Sequence, residues 1–123
     1  MRIFMTKWFA RYCRHEHISD TSLLEAISRA ERGLIDADLG GSLIKQRVAR
    51  QGKGRSAGYR VIIAYRAKGR AVFLFGFAKS EMENIAANQL AVARDIARKL
   101  LAADDQEIAQ TIEDGELQEV EDG

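Results

Sequence analysis

Seven cationic side chains, Lys45, Arg47, Arg50, Lys53, Arg55, Arg60 and Arg66, fall within the stretch KQRVARQGKGRSAGYRVIIAYR, which holds no Asp or Glu. Gly52 and Gly54 alternate with Lys53 and Arg55, so backbone amides can approach an oxyanion closely while the two side chains add charge-assisted hydrogen bonds. The acid-free region is longer still, from Leu39 to Ser80, and also contains Arg70 and Lys79. A solvated surface ordinarily mixes both signs. The pattern therefore points to a phosphate-bearing partner, with Lys45, Arg47 and Arg50 as cations that bind its backbone. The segment is not a nucleotide-binding P-loop: the G-x-x-x-x-G-K-[ST] spacing is absent, and it does not run from a strand into a helix.

Several kinds of chemistry are disfavoured. His15 and His17 are the only histidines; two residues apart on a helix, they do not face each other and read as surface residues. Cys13, the only cysteine, falls within the apolar periodicity of the first helix and reads as core. Alone, it can form no internal disulfide and agrees with a reducing compartment. The basic segment carries no carboxylate to hold magnesium, so a two-metal nuclease is disfavoured. Chemistry here is expected to use neither metal, cofactor nor histidine. No run of 18 apolar residues is present to span a bilayer, and MRIFMTKWFARYCR lacks the apolar core of a signal peptide. The expectation is a cytoplasmic protein without membrane contact.

The elements that must position these residues are those of an α+β domain. Arg2 to Met5 reads as a first strand, and Trp8, Phe9 and Tyr12 at helical spacing follow in a helix near residues 6–15. Ser19 or Asp20 caps a second helix over about Thr21 to Arg32, with Gly33 as its stop. Asp36 to Ser42 reads as a loop. Leu43–Arg50, Gly58–Arg66 and Arg70–Phe77 are rich in β-branched and aromatic residues and are separated by turn-like segments, so three consecutive antiparallel strands are expected. The middle one, YRVIIAY, is apolar nearly throughout, as a strand covered on both faces should be. Ser80 and Glu83 make a capping box that would open a long helix to about Leu101, burying Met82, Ile85, Ala86, Leu90, Ala93, Ile96, Ala97 and Leu100.

Net charge conceals an asymmetry. Residues 1–100 carry all nineteen Lys and Arg with nine Asp and Glu, a net +10; residues 101–123 carry nine acids and no base, a net −9. The division expected is a basic domain over 1–101 and an acidic extension over 102–123. Ile108 and Ile112 at helical spacing, Gly115 and the ELQEV stretch suggest that the extension is a docked short helix with an extended end. Attraction between the two parts raises the idea that the tail partly covers the basic sheet.

The run GGSLIKQRVARQGKGRSAGYRVIIAY followed by FLFGFAKSEMENI resembles the RelE/ParE superfamily of bacterial toxins, and most closely its HigB-like branch, over residues 1–100. The hairpin and the F-A-K-S-E segment carry the resemblance together. It implies a microbial RNase-like fold with an antiparallel sheet, N-terminal helices and a C-terminal helix. It also implies a toxin of a type II toxin–antitoxin system, an endoribonuclease that cleaves mRNA on the ribosome by attack of a ribose 2′-hydroxyl. The implied partners are the ribosome with its mRNA and a cognate helix-turn-helix antitoxin, the free toxin being a monomer and the neutralised one a hetero-oligomer. Carried over by position, the catalytic candidates are Lys53, Arg55, Arg60 and Lys79. Crowding by Arg50 and Arg55 would lower the pKa of Lys53 and suit it to proton transfer, whereas Arg60 suits the phosphoryl oxygens. Phe77 stands where some relatives carry a tyrosine or histidine; it can stack on a base but cannot donate a proton. Glu81 is an alternative base, or simply a carboxylate at a helix N-terminus. Two other functions compete: a ParE-like toxin that inhibits a topoisomerase without cleavage, and a non-catalytic RNA-binding module.

Overall fold

In YRVIIAY, successive side chains leave the strand on opposite faces, and both sets are buried. Tyr59, Val61 and Ile63 join one core cluster with Phe9, Cys13, Leu23 and Ile27; Ile62 and Ala64 join a second with Phe4, Val72, Ala93 and Ala97. The run is apolar because helices cover it on both sides. The computed structural model describes residues 1–50, 54–79 and 85–120, except for the side chains of residues 50 and 54–57. In order, the elements are β1 (Arg2–Thr6), α1 (Lys7–Glu16), α2 (Asp20–Glu31), β2 (Ala37–Gly40), β3 (Leu43–Arg50), β4 (Gly54–Arg66), β5 (Arg70–Ala78), α3 (Ala87–Ala102), α4 (Asp105–Glu113) and β6 (Leu117–Glu119).

The six strands form one sheet in the order β2-β3-β4-β5-β1-β6. β3, β4 and β5 are the expected antiparallel meander. β1 lies parallel to β5, from Arg2 opposite Arg70 to Met5 opposite Phe73, so the sheet is mixed rather than purely antiparallel. A parallel neighbour requires a crossover, and the chain between β1 and β5 supplies it.

Local chemistry sets the helix ends. Thr6 caps α1 by accepting from the Phe9 amide, and Ser19 caps α2 by accepting from Ser22. Gly33, at φ +80°, follows α2 in the left-handed conformation that favours glycine. Two expectations are corrected. Within Asp36–Ser42, residues Ala37–Gly40 pair with β3 as an edge strand. Asp38 and Gly40 disguise it in the sequence, while the buried Gln46 side chain anchors its entry by accepting from the Asp36 amide and donating to the carbonyls of Ala26 and Leu34. The long helix starts at Ala87, with Ile85 and Ala86 outside it. The Ser80–Glu83 capping box and Met82 lie outside the described residues. Ile96, expected in the core, is 40% exposed, whereas Ala93, Ala97 and Leu101 form the buried face.

The acidic segment contributes to both cores, Ile108 and Leu117 to the second and Val120 to the first. Asp104 and Glu107 form a reciprocal capping box that opens α4, which buries Ile108 completely. β6 adds antiparallel to β1, burying Leu117, and Val120 just beyond it is buried as well. Arg2 grips Glu119 with two hydrogen bonds of 3.1 and 2.9 Å. Arg70, buried at the start of β5, donates to the carbonyls of Leu100 and Ala103 at 2.7 and 2.8 Å, satisfying acceptors that the end of α3 leaves open.

Candidate nucleic-acid interface

Antiparallel register brings three residues of the cationic stretch into one neighbourhood. Arg47 on β3 lies opposite Arg60 on β4, which lies opposite Phe77 on β5; one step along, Lys45 lies opposite Ile62. Alternation puts these side chains on the sheet face that carries α3, since Ile62, Phe77 and Leu43 belong to the cluster that α3 covers. The opposite face, under α1 and α2, holds the Tyr59–Val61–Ile63 set.

Arg60 stands apart from the other buried arginines. It is 7% exposed, and among the described residues its Nη1 has no hydrogen-bond partner. Arg29 donates to Glu25, Asp36 and the Arg47 carbonyl, and Arg70 donates to two carbonyls at the end of α3. Those two arginines hold the fold together. Arg60 holds a permanent positive charge with an unused donor in a place of low dielectric, where an incoming anion would be bound strongly. Arg47 is exposed, and its backbone is held by its amide donating to Asp36 Oδ2 at 2.6 Å. Lys45 is half-buried.

The remaining candidates are less closely placed. Lys79 is exposed, one residue beyond β5. Arg50 ends β3 opposite Gly54, and the backbone of Arg55 continues β4. The side chains of Arg50 and Arg55, and all of Lys53 and Glu81, lie outside the described residues, and with them the expected lowering of the Lys53 pKa. Phe77, expected as a stacking surface, is 5% exposed and belongs to the second core cluster. Cys13 is buried, and burial pushes its thiol up to about 12. His15 and His17 are exposed, His15 lying 2.7 Å from Glu16.

The described part of the acidic segment, through Val120, does not reach this place. β6 is separated from β4 by β5 and β1, and the Asp105–Arg70 contact at 3.9 Å sits at the end of β5 remote from Phe77, about 20 Å away at the rise of an extended strand.

The sequence reading also missed an aromatic. Trp8, grouped with Phe9 and Tyr12 by helical spacing, is 52% exposed and stacks on Tyr12 beside Phe75. Its signal was present: Phe9 and Cys13 lie four residues apart on one face of α1, and Trp8 falls beside that pair.

Among the described residues no helix is long and apolar enough to cross a membrane. Comparison with curated proteins gives no match. A family model, described as the RelE toxin of the RelE / RelB toxin–antitoxin system, matches residues 1–120. It spans the basic sheet and continues through α4 and β6, and on that match the chain belongs to the RelE toxin family of toxin–antitoxin systems.

Proposed function

We propose that this toxin is a metal-independent endoribonuclease that cuts mRNA in the ribosomal A site and is held inactive by a helix-turn-helix antitoxin in the cytoplasm. The observation that carries the reading is the buried Arg60 guanidinium, whose Nη1 is unpartnered among the described residues, opposite exposed Arg47 on the next strand. A ribose 2′-hydroxyl attacks the adjacent phosphorus, the bond to the 5′ oxygen breaks, and a 2′,3′-cyclic phosphate is left. Charge on the phosphoryl oxygens grows during attack, and Arg60, already desolvated, stabilises it through its guanidinium donors. Lys53 takes the proton of the 2′-hydroxyl, Lys79 returns one to the departing 5′ oxygen, and Arg55, Arg47, Lys45 and Arg50 bind flanking phosphates. The HigB-like resemblance of the hairpin supports the same assignment.

The test is to map mRNA ends in cells that express the wild type or Arg60→Ala at matched levels. Cuts in register with codons, lost in the variant, support the proposal. Intact mRNA with topoisomerase-linked DNA damage would move the function to a non-cleaving toxin, and intact mRNA without such damage would leave an RNA-binding module.

A further inference from the structure

Beside the cations, on the same face of the sheet, lies a groove of about 560 Å³ whose lining holds no charged residue among the described residues. Its origin is a mismatch in strand length. β1 ends at Thr6, one residue past the Met5–Phe73 pair, whereas β5 runs on to Ala78. The space beside the end of β5 is walled by Trp8 from the start of α1 and by Asn88, Val92 and Ile96, which follow one another at four-residue intervals along α3. Val92 and Ile96 are 62% and 40% exposed. Trp8 meets Phe75 edge-to-face, with ring centroids 6.3 Å apart and planes at 90°. Tyr12 stacks on one face of the indole, at 5.2 Å and 16°, which leaves the other face for a flat ligand.

Position connects this groove to Arg60. Phe75 lies opposite Ile62, two residues along β4 from Arg60, a step of about 7 Å at the rise of a strand. A phosphate on Arg60 therefore carries its nucleoside to the mouth of an uncharged groove with aromatic walls. Resting on the reading of Arg60 as a phosphate site, we propose that the groove receives the nucleobase next to that phosphate, stacked on the open face of Trp8 and flanked by Val92 and Ile96. Base–aromatic stacking is tolerant of sequence, so discrimination falls to the polar groups. The Thr6 hydroxyl is committed, donating to the Leu74 carbonyl at 2.7 Å and accepting from the Phe9 amide at 3.2 Å. The Gln89 carbonyl oxygen is held by the Ala86 amide at 3.1 Å, which leaves its NH₂ group as a donor. Gln89 and Asn88 are then the polar residues placed to read the base edge, Gln89 as a donor and Asn88 as donor or acceptor.

Trp8 is the only tryptophan, so its fluorescence reports on the groove directly. The probes are 2′-deoxy trinucleotides of each base, which cannot be cleaved by 2′-hydroxyl attack, together with the abasic trinucleotide of the same backbone. Saturable quenching by the base-containing probes, none by the abasic one, and a preference among bases that Asn88→Ala or Gln89→Ala alters are the expected results. By calorimetry, Trp8→Ala should weaken base-containing probes by about fivefold to a hundredfold and leave the abasic probe unchanged, while Trp8→Phe retains most of the affinity. Arg60→Ala should weaken all probes alike. Equal binding of abasic and base-containing probes without quenching, with the Arg60 dependence intact, overturns the base site but not the phosphate site; an Arg60→Ala variant with undiminished affinity overturns the phosphate site itself. If Val92→Glu abolishes neutralisation by the antitoxin but leaves trinucleotide affinity and quenching unchanged, the groove belongs to a protein partner and the inference fails.

Discussion

Replacing Arg60 by methionine should make the protein more stable and less toxic at the same time. The side chain is 7% exposed and among the described residues its Nη1 has no acceptor. A buried donor left unpaired costs about 1–3 kcal/mol, and more when the group is charged. Methionine keeps an unbranched stem in the same space and removes the donors, so the free energy of unfolding should rise by roughly 1–3 kcal/mol, as when other buried charges are exchanged for apolar groups. With a urea slope of about 2 kcal/mol/M, the midpoint moves up by about 0.5–1.5 M. Arg70→Met is the internal comparison, because it deletes hydrogen bonds to Leu100 and Ala103 and should lower stability by about 2–4 kcal/mol. Urea denaturation followed by far-UV circular dichroism measures both. An Arg60→Met midpoint that falls as far as that of Arg70→Met would refute the reasoning and make Arg60 a structural residue.

Removing residues 104–123 should unfold the domain rather than unmask an RNA site. Ile108, Leu117 and Val120 leave the core, each worth roughly 1.5–3 kcal/mol against a total of about 5–15 kcal/mol; a truncated chain that melts cooperatively near the full-length temperature would contradict this. Glu119 is held below the usual carboxylate range by its hydrogen bonds to Arg2, so its contribution is present above the ordinary carboxylate pKa and lost as pH falls through the lowered folded value. Glu119→Gln should therefore cost about 0.5 kcal/mol near neutrality, an amount limited by solvent screening, with the difference shrinking below about pH 4; a difference that grows on acidification would reverse the sign. Cys13, buried with its thiol pushed up to about 12, should react with iodoacetamide at about pH 8 only through unfolding, and a native rate equal to that of the denatured chain would contradict the burial.

The meander was legible because Val48, Val61, Ile62, Ile63 and Val72 are β-branched residues in short runs broken by glycine, and each lies on the strand its chemistry favours. β2 was hidden because an exposed edge strand needs no apolar pattern, and Asp38 and Gly40 read as turn residues. At the candidate site, the cationic stretch and the pairing of its strands could be read; the burial of Arg60 could not. Arg29, Arg60 and Arg70 are the same residue type, and what separates them is the set of acceptors that folding brings to two of them: Glu25, Asp36 and the Arg47 carbonyl at Arg29, the Leu100 and Ala103 carbonyls at Arg70. Trp8 was misjudged because helical spacing identifies a face but does not say how wide a stripe the sheet beneath will cover.

Cleavage chemistry tests the central claim most directly. A ribosome programmed with one mRNA is offered the toxin, and the nucleotide 5′ of the cut is supplied either as ribose or as 2′-deoxyribose, with wild-type toxin and Arg60→Ala in parallel. The account predicts a 2′,3′-cyclic phosphate end from the ribose substrate, no cut at the deoxy position, and a rate lowered on the order of a hundredfold or more by Arg60→Ala, the loss of one preorganised oxyanion donor. Cleavage at the deoxy position, or an Arg60→Ala rate equal to wild type, would contradict it.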